Sequence, residues 1–167
     1  MRAASLAITA LLMAPYGAAA ATCQQEHAVY GDPDNAYELT FKPVEAESAA
    51  ATHRFTLKVI NTDLVFDGYV LPSEPVNRPN GIAFYNCPEG DVTGDDIAAC
   101  TVWQNVIYGS YDGHIDLLGP QGSAAASQIL LPGFGPSLRE SNAWGEKKAT
   151  VVPWDVFTLK DCNKLAG

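Results

Sequence analysis

The chain has 167 residues, with ten Lys and Arg against nineteen Asp and Glu, for a formal charge of −9 at pH 7. Proteins bind phosphate backbones by neutralising them with Lys and Arg, so this balance excludes nucleic acid and anionic membrane surfaces as favoured partners. The length suits one domain with a hydrophobic core of its own.

The chain starts like an export signal. Arg2 supplies a positive charge, residues 3–14 are apolar and rich in Ala and Leu, and Pro15 and Gly17 break the run before Ala18, Ala19, Ala20 and Ala21. A charged start, a short apolar centre and a small-residue exit make a secretory leader over residues 1–21, followed by a single β-rich domain over 22–167. The apolar centre falls short of the roughly 20 residues that a membrane span requires, so no span is expected. Losing Arg2 with the leader takes the charge to −10. Cys23 would then lie near the new N-terminus, which leaves acylation of Cys23 as a minor alternative. Thr22 argues against it, because lipoprotein processing favours a smaller residue before the cysteine.

Strand signals dominate the rest of the chain. Residues 37–42 alternate apolar and polar side chains, and residues 53–60 place Phe55, Leu57 and Val59 on one face and Arg54, Thr56 and Lys58 on the other. Asn61-Thr62-Asp63 is read as the turn into a returning strand, 64–71. A proline-punctuated loop, 72–79, precedes Asn80-Gly81, read as a tight turn before a strand over 82–87. The acidic loop 88–99 is expected to hold one helical turn near 95–99. Residues 101–111 make the strongest strand by composition, and Asp112-Gly113 is a two-residue hairpin turn before 114–118. A small-residue linker, 121–127, leads to a short strand at 128–131. A short helix is expected over 136–144, with Pro136 in its first turn. Residues 150–159 close the chain as a strand, with Trp154 in the core and Pro153 implying an edge or a bulge. About eight such strands with little helix predict a mainly β fold, a β-sandwich or a barrel-like domain stapled by disulfides.

The staples are Cys23, Cys87, Cys100 and Cys162. An even cysteine count in an exported chain argues for two bridges, and Cys87–Cys100 with Cys23–Cys162 is the favoured pairing of three. No pair has the spacing of a zinc site, and C-x-x-C is absent. No Asn-x-Ser/Thr acceptor occurs, which together with the Ala-rich leader leans towards a bacterial origin and a periplasmic or secreted location.

Three constellations carry chemical interest. Glu89, Asp91, Asp95 and Asp96 share one loop that Cys87–Cys100 would hold in shape, and their oxygens suit calcium, the one cofactor considered. Asp32, Asp34 and Asn35 form a lesser cluster of the same kind. Ser110, Asp112, His114 and Asp116 would project from one face of a continuous strand, where His114 could serve as a base, but the hairpin at Asp112-Gly113 removes that shared face. Trp144 lies in a polar stretch and could meet a ligand, whereas Trp103 and Trp154 are read as core. His27 and His53 sit in ordinary settings. H-E-x-x-H, G-x-S-x-G, S-x-x-K, a phosphate-binding glycine loop and G-x-G-x-x-G are all missing. The expected role is non-catalytic binding or structural service at the cell envelope, with a protein or small molecule as partner. A small secreted hydrolase and a calcium-stabilised extracellular module are the alternatives.

Overall fold

A computed structural model describes residues 23–45 and 50–163. The expected leader lies outside the described residues. Among the described residues, ten strands build one antiparallel sheet: β1 (Ala28–Gly31), β2 (Tyr37–Lys42), β3 (His53–Val59), β4 (Val65–Pro72), β5 (Pro79–Phe84), β6 (Thr101–Val106), β7 (Tyr108–Tyr111), β8 (His114–Leu117), β9 (Gln128–Leu130) and β10 (Val156–Cys162). Among the described residues, helix is confined to α1 (Gly94–Cys100), α2 (Phe134–Glu140) and a 3-10 turn at Gln25–His27.

The spatial order is β6-β5-β4-β3-β2-β1-β10-β9-β7-β8. Only Ile107 separates β6 from β7. Its N–H donates to the Pro79 carbonyl at 2.9 Å, and its own carbonyl accepts from Leu118 N–H at 3.3 Å. One run of chain therefore borders β5 with its first half and β8 and β9 with its second. The sheet nearly closes on itself as a barrel, which removes most of the unpaired strand edge that an open sheet would expose.

The alternation of the strands decides what fills the interior. Tyr37, Leu39 and Phe41 of β2 and His53, Phe55, Leu57 and Val59 of β3 are buried, and Arg54 and Lys58 face out. At one end Phe134 of α2 packs against Phe66 and Trp103 at ring separations of 6.0 and 5.8 Å. The buried Trp103 keeps its N–H satisfied by donating to the Pro132 carbonyl at 2.9 Å. Towards the other end Tyr30, Phe41 and Phe55 pack in series, with rings 5.9 Å apart at each step.

Phe55 lies opposite Gly68 across β3 and β4, and a Cβ on Gly68 would sit 2.1 Å from the Phe55 ring. Glycine is needed there for room. Gly68→Ala is expected to destabilise the domain by about 1–3 kcal/mol in urea unfolding, through displacement of that ring. An unchanged midpoint would show that the ring relaxes freely.

The turns follow local chemistry. Asp112 (φ 48°) and Gly113 (φ 83°) form the two-residue hairpin between β7 and β8, with Tyr111 paired to His114. Both central residues have the positive φ that this turn requires. Asn61 (φ 61°) and Thr62 close β3 onto β4, the Thr62 hydroxyl accepting from Leu64 N–H and donating to the Val59 carbonyl.

Three expectations need correction. Asn80-Gly81 is no turn but the interior of β5; the reversal is made earlier, where Ser73 N–H donates to the Arg78 carbonyl at 3.0 Å. Gly81 instead admits Ile107 and Trp103, whose side chains would lie 2.5 and 2.9 Å from a Cβ. The closing strand begins only at Val156, after Pro153, and runs between β1 and β9 rather than at an edge. Trp154 therefore precedes the strand and is 56% exposed, its N–H donating to Asp34 at 2.7 Å.

Both bridges form as expected, Cys23–Cys162 and Cys87–Cys100. With its sulfur in a disulfide, Cys23 has no thiol left for a lipid thioether, so the acylated alternative is incompatible with this fold. Among the described residues no helix is long and apolar enough to cross a membrane.

Candidate functional site

The acidic loop is laid out as a helix start. Thr93 caps α1: its hydroxyl oxygen accepts from Asp96 N–H at 3.2 Å, and the Asp96 carboxylate accepts from Thr93 N–H at 2.9 Å and its hydroxyl at 2.7 Å. This reciprocal box satisfies backbone donors that the helix itself leaves free. The backbone and side-chain bonds from Thr93 hold the Asp96 carboxyl below its usual range. Glu89, Asp91 and Asp95 are exposed beside it. Among the described residues, no three His, Cys, Asp or Glu side chains come together as a set that could hold a metal ion.

The other sequence candidates are dispersed. Ser110 is buried in β7, whereas Asp112, His114 and Asp116 are exposed at and after the turn, so the four share no face. Asp116 accepts from the neighbouring Leu117 N–H. Asp32 is buried and shapes the β1–β2 turn by accepting Tyr37 N–H at 2.8 Å, while Asp34 holds Trp154. Trp144 is half-buried and packs against the core.

A different group gathers at the barrel end where β3 begins. Gln25 and Glu26, in the 3-10 turn next to the Cys23–Cys162 bridge, are 0% and 7% exposed. The Gln25 side-chain oxygen Oε1 accepts from the Tyr30 hydroxyl (3.2 Å) and Ala126 N–H (3.0 Å), and the Glu26 carboxylate accepts from Gly122 N–H at 2.8 Å. The segment after β8 is thereby drawn across this end. Gly119 N–H donates to the Tyr111 hydroxyl at 2.9 Å, and Gln25 N–H to the Ser123 carbonyl at 2.9 Å.

His53 opens β3 at this end and is 1% exposed, with its ring edge-on to Phe41 at 5.8 Å. Nδ1 lies 3.2 Å from the Thr52 hydroxyl oxygen, and that hydroxyl donates to the Val70 carbonyl at 3.2 Å. With the hydroxyl proton committed to Val70, the network assigns the imidazole proton to Nδ1 and leaves Nε2 an acceptor. Burial pushes the His53 pKa down to about 4, and the charge of Glu26 opposes this only in part. The ring is thus neutral at physiological pH.

Buried polar atoms normally find partners, and each exception calls for an explanation. Among the described residues four buried side-chain atoms have none, and three belong to this end: Gln25 Nε2, His53 Nε2 and Ser123 Oγ. Beside His53 lies a recess of about 250 Å³, with Thr52, Pro72, Pro79, Leu117 and Leu118 also in its wall. Barrel mouths are a recurrent place for small ligands.

No protein-family model, curated protein or solved structure matches the chain. The reading of this site therefore rests on its own geometry. His53 has no carboxylate hydrogen-bonded to it, and the one hydroxyl within reach spends its proton on a backbone carbonyl. A nucleophile–base pair needs that proton to pass to the imidazole, and here it is committed to the Val70 carbonyl. Sequence reasoning passes over His53, although it falls two residues before Phe55, in phase with the buried face.

Proposed function

We propose that this protein is an exported, non-catalytic binding domain of the periplasm or extracellular space. Its ligand is a small, largely apolar molecule that carries a hydroxyl or amine. The leader-like start and two disulfides support export, because such bridges persist in oxidising compartments. The observation that carries the binding role is His53 Nε2, buried without a partner in a side chain that walls the recess. An orphaned acceptor selects a ligand donor, and the prolines and leucines favour an apolar body. Any such contact is made out of water, where an unmade hydrogen bond is costly and a made one discriminates.

Native mass spectrometry of the oxidised domain purified from an exporting host tests this reading. The expected result is a co-purifying small molecule that is lost in His53→Phe, which fills the ring volume without a nitrogen. Protein that is always ligand-free, with its His53 resonances insensitive to a library of small alcohols and amines, would overturn it.

A further inference from the structure

A groove on the outer surface of the barrel shares no lining residue with the recess at His53. The outward positions of β3, β4 and β5 form two ranks across the strands. Arg54 stands beside Tyr69 and Ile82 in one, and Thr56 beside Asp67 and Phe84 in the other. Outward positions of a barrel strand are ordinarily polar, yet Tyr69 and Phe84 stand here with rings 6.5 Å apart and inclined by 56°. The second wall is Cys87 and Ile97, held together by the Cys87–Cys100 bridge at the end of α1. The register with β6 shifts between Ala83 and Phe84, with Val102 as the extra residue on β6. The resulting groove encloses about 380 Å³, within the size range of small-molecule sites.

We propose that this groove binds a pyranose ring of a neutral saccharide. An aromatic face is negative, so it attracts the weakly positive C–H face of a sugar as it attracts a cation. Tyr69 already shows that property, with the Arg54 guanidinium 5.9 Å from its ring centre. Asp67, Arg54 and Asn86 line the same groove and supply polar groups for ring hydroxyls. The Arg54–Asp67 ion pair is long at 3.7 Å, and its side chains are 46% and 58% exposed. Exposed pairs of this kind contribute little, so both groups can turn to a ligand at small cost.

The observations disfavour other occupants. Strands β3, β4 and β5 are each paired on both sides, which leaves no free ladder for an added peptide strand. An acidic glycan would meet the Asp67 carboxylate in the same groove as the one guanidinium, on a chain of net charge −9.

The test is titration of the isotope-labelled oxidised domain with cellohexaose, maltohexaose and chitohexaose, and with an oligogalacturonate as the acidic counterpart. Saturable shifts at Tyr69, Phe84 and Asn86 are expected with at least one neutral hexasaccharide. Tyr69→Ala and Phe84→Ala should each weaken binding about tenfold or more. Asp67→Asn, which preserves shape, should weaken it less. Trp154→Ala serves as the control, since that exposed indole lies elsewhere and should leave binding intact. No shift with any neutral sugar at millimolar concentration would overturn the proposal. So would binding of the acidic oligomer alone, or a loss confined to Trp154→Ala. Each alanine variant is also checked by near-UV circular dichroism, and for any that unfolds the wild-type shift map and Asp67→Asn decide instead.

Discussion

Lowering the pH from 7 to 4 is expected to remove about 3 kcal/mol of stability through His53 alone. The imidazole is buried as a neutral ring, and its pKa falls from the ordinary 6.5 to about 4, chiefly through desolvation. In the unfolded chain the same ring takes up a proton as the pH passes below about 6.5. Between those values the unfolded state binds more protons than the folded one, so stability is complete above the upper value and declines towards the lower. Glu26 is the charged group that faces His53, and it opposes part of the shift without removing it. The Tyr30 and Tyr111 hydroxyls are held above their ordinary pKa by burial, so they stay neutral across this window. Urea unfolding at pH 7, 5.5 and 4 should show the decline in the wild type and a shallower one in His53→Gln, which keeps polarity but does not titrate. Identical slopes would mean that the ring is not buried in neutral form. The consequence for function is direct: a ligand donor on Nε2 competes with the proton of the folded state, so binding at the recess should hold through the mildly acidic range and weaken as the pH falls to about 4.

The features legible in the sequence are those that neighbouring residues determine. The alternation in β2 and β3 separates a wet face from a dry one, and each side chain reports its own side. Asp112-Gly113 is legible because the two-residue turn needs positive φ at both positions, and these two residues supply it most cheaply. Asn80-Gly81 carries the same signature for another reason. Its glycine makes room for Ile107 and Trp103, which lie more than twenty residues along the chain, and no local rule could reveal that. Strand β1 escapes a reading by pattern because Ala28, Val29 and Tyr30 are all buried, so the short run shows no alternation. Pro153 misleads in the opposite direction, since it ends the approach to β10 and takes no place in the sheet. The two sites are half visible. His53 shares the phase of Phe55, Leu57 and Val59, which marks it as buried. Tyr69 shares the phase of Val65 and Asp67, which marks an aromatic ring on a wet face. Neither mark identifies its surroundings, because Gln25 and Gly122 come to the first place only through closure of the sheet, and Ile97 comes to the second only through the Cys87–Cys100 loop and helix.

Removing the Cys23–Cys162 bridge should be the most damaging pair of substitutions, costing about 5 kcal/mol. The bridge spans 139 residues, nearly the whole described chain, whereas Cys87–Cys100 spans 13 and is worth about 3 kcal/mol by the same chain-entropy reasoning. Small domains commonly have about 5–15 kcal/mol in total, so Cys23→Ala/Cys162→Ala should leave a marginal fold while Cys87→Ala/Cys100→Ala leaves a stable one. The long bridge also anchors the turn whose hydrogen bonds draw the segment after β8 across this end of the barrel. The Cys23 carbonyl accepts from Ala125 N–H at 2.8 Å, and the His27 carbonyl from Asn163 N–H at 2.7 Å, so the 3-10 turn that carries Gln25 and Glu26 is held from both sides of the disulfide. Hydrogen exchange of the double variant should therefore show early loss of protection at Gly122 and Ala126, whose N–H groups donate to Glu26 and Gln25, before the strands β3 and β4 open. Urea unfolding gives the size of the effect. A loss below about 1 kcal/mol would mean that the pairing of β1 with β10 already holds the ends together, with the sulfurs adding little. A large loss with the barrel end still protected would separate the two roles, leaving the bridge as a staple of the chain and the hydrogen bonds of Gln25 and Glu26 as the support of the site.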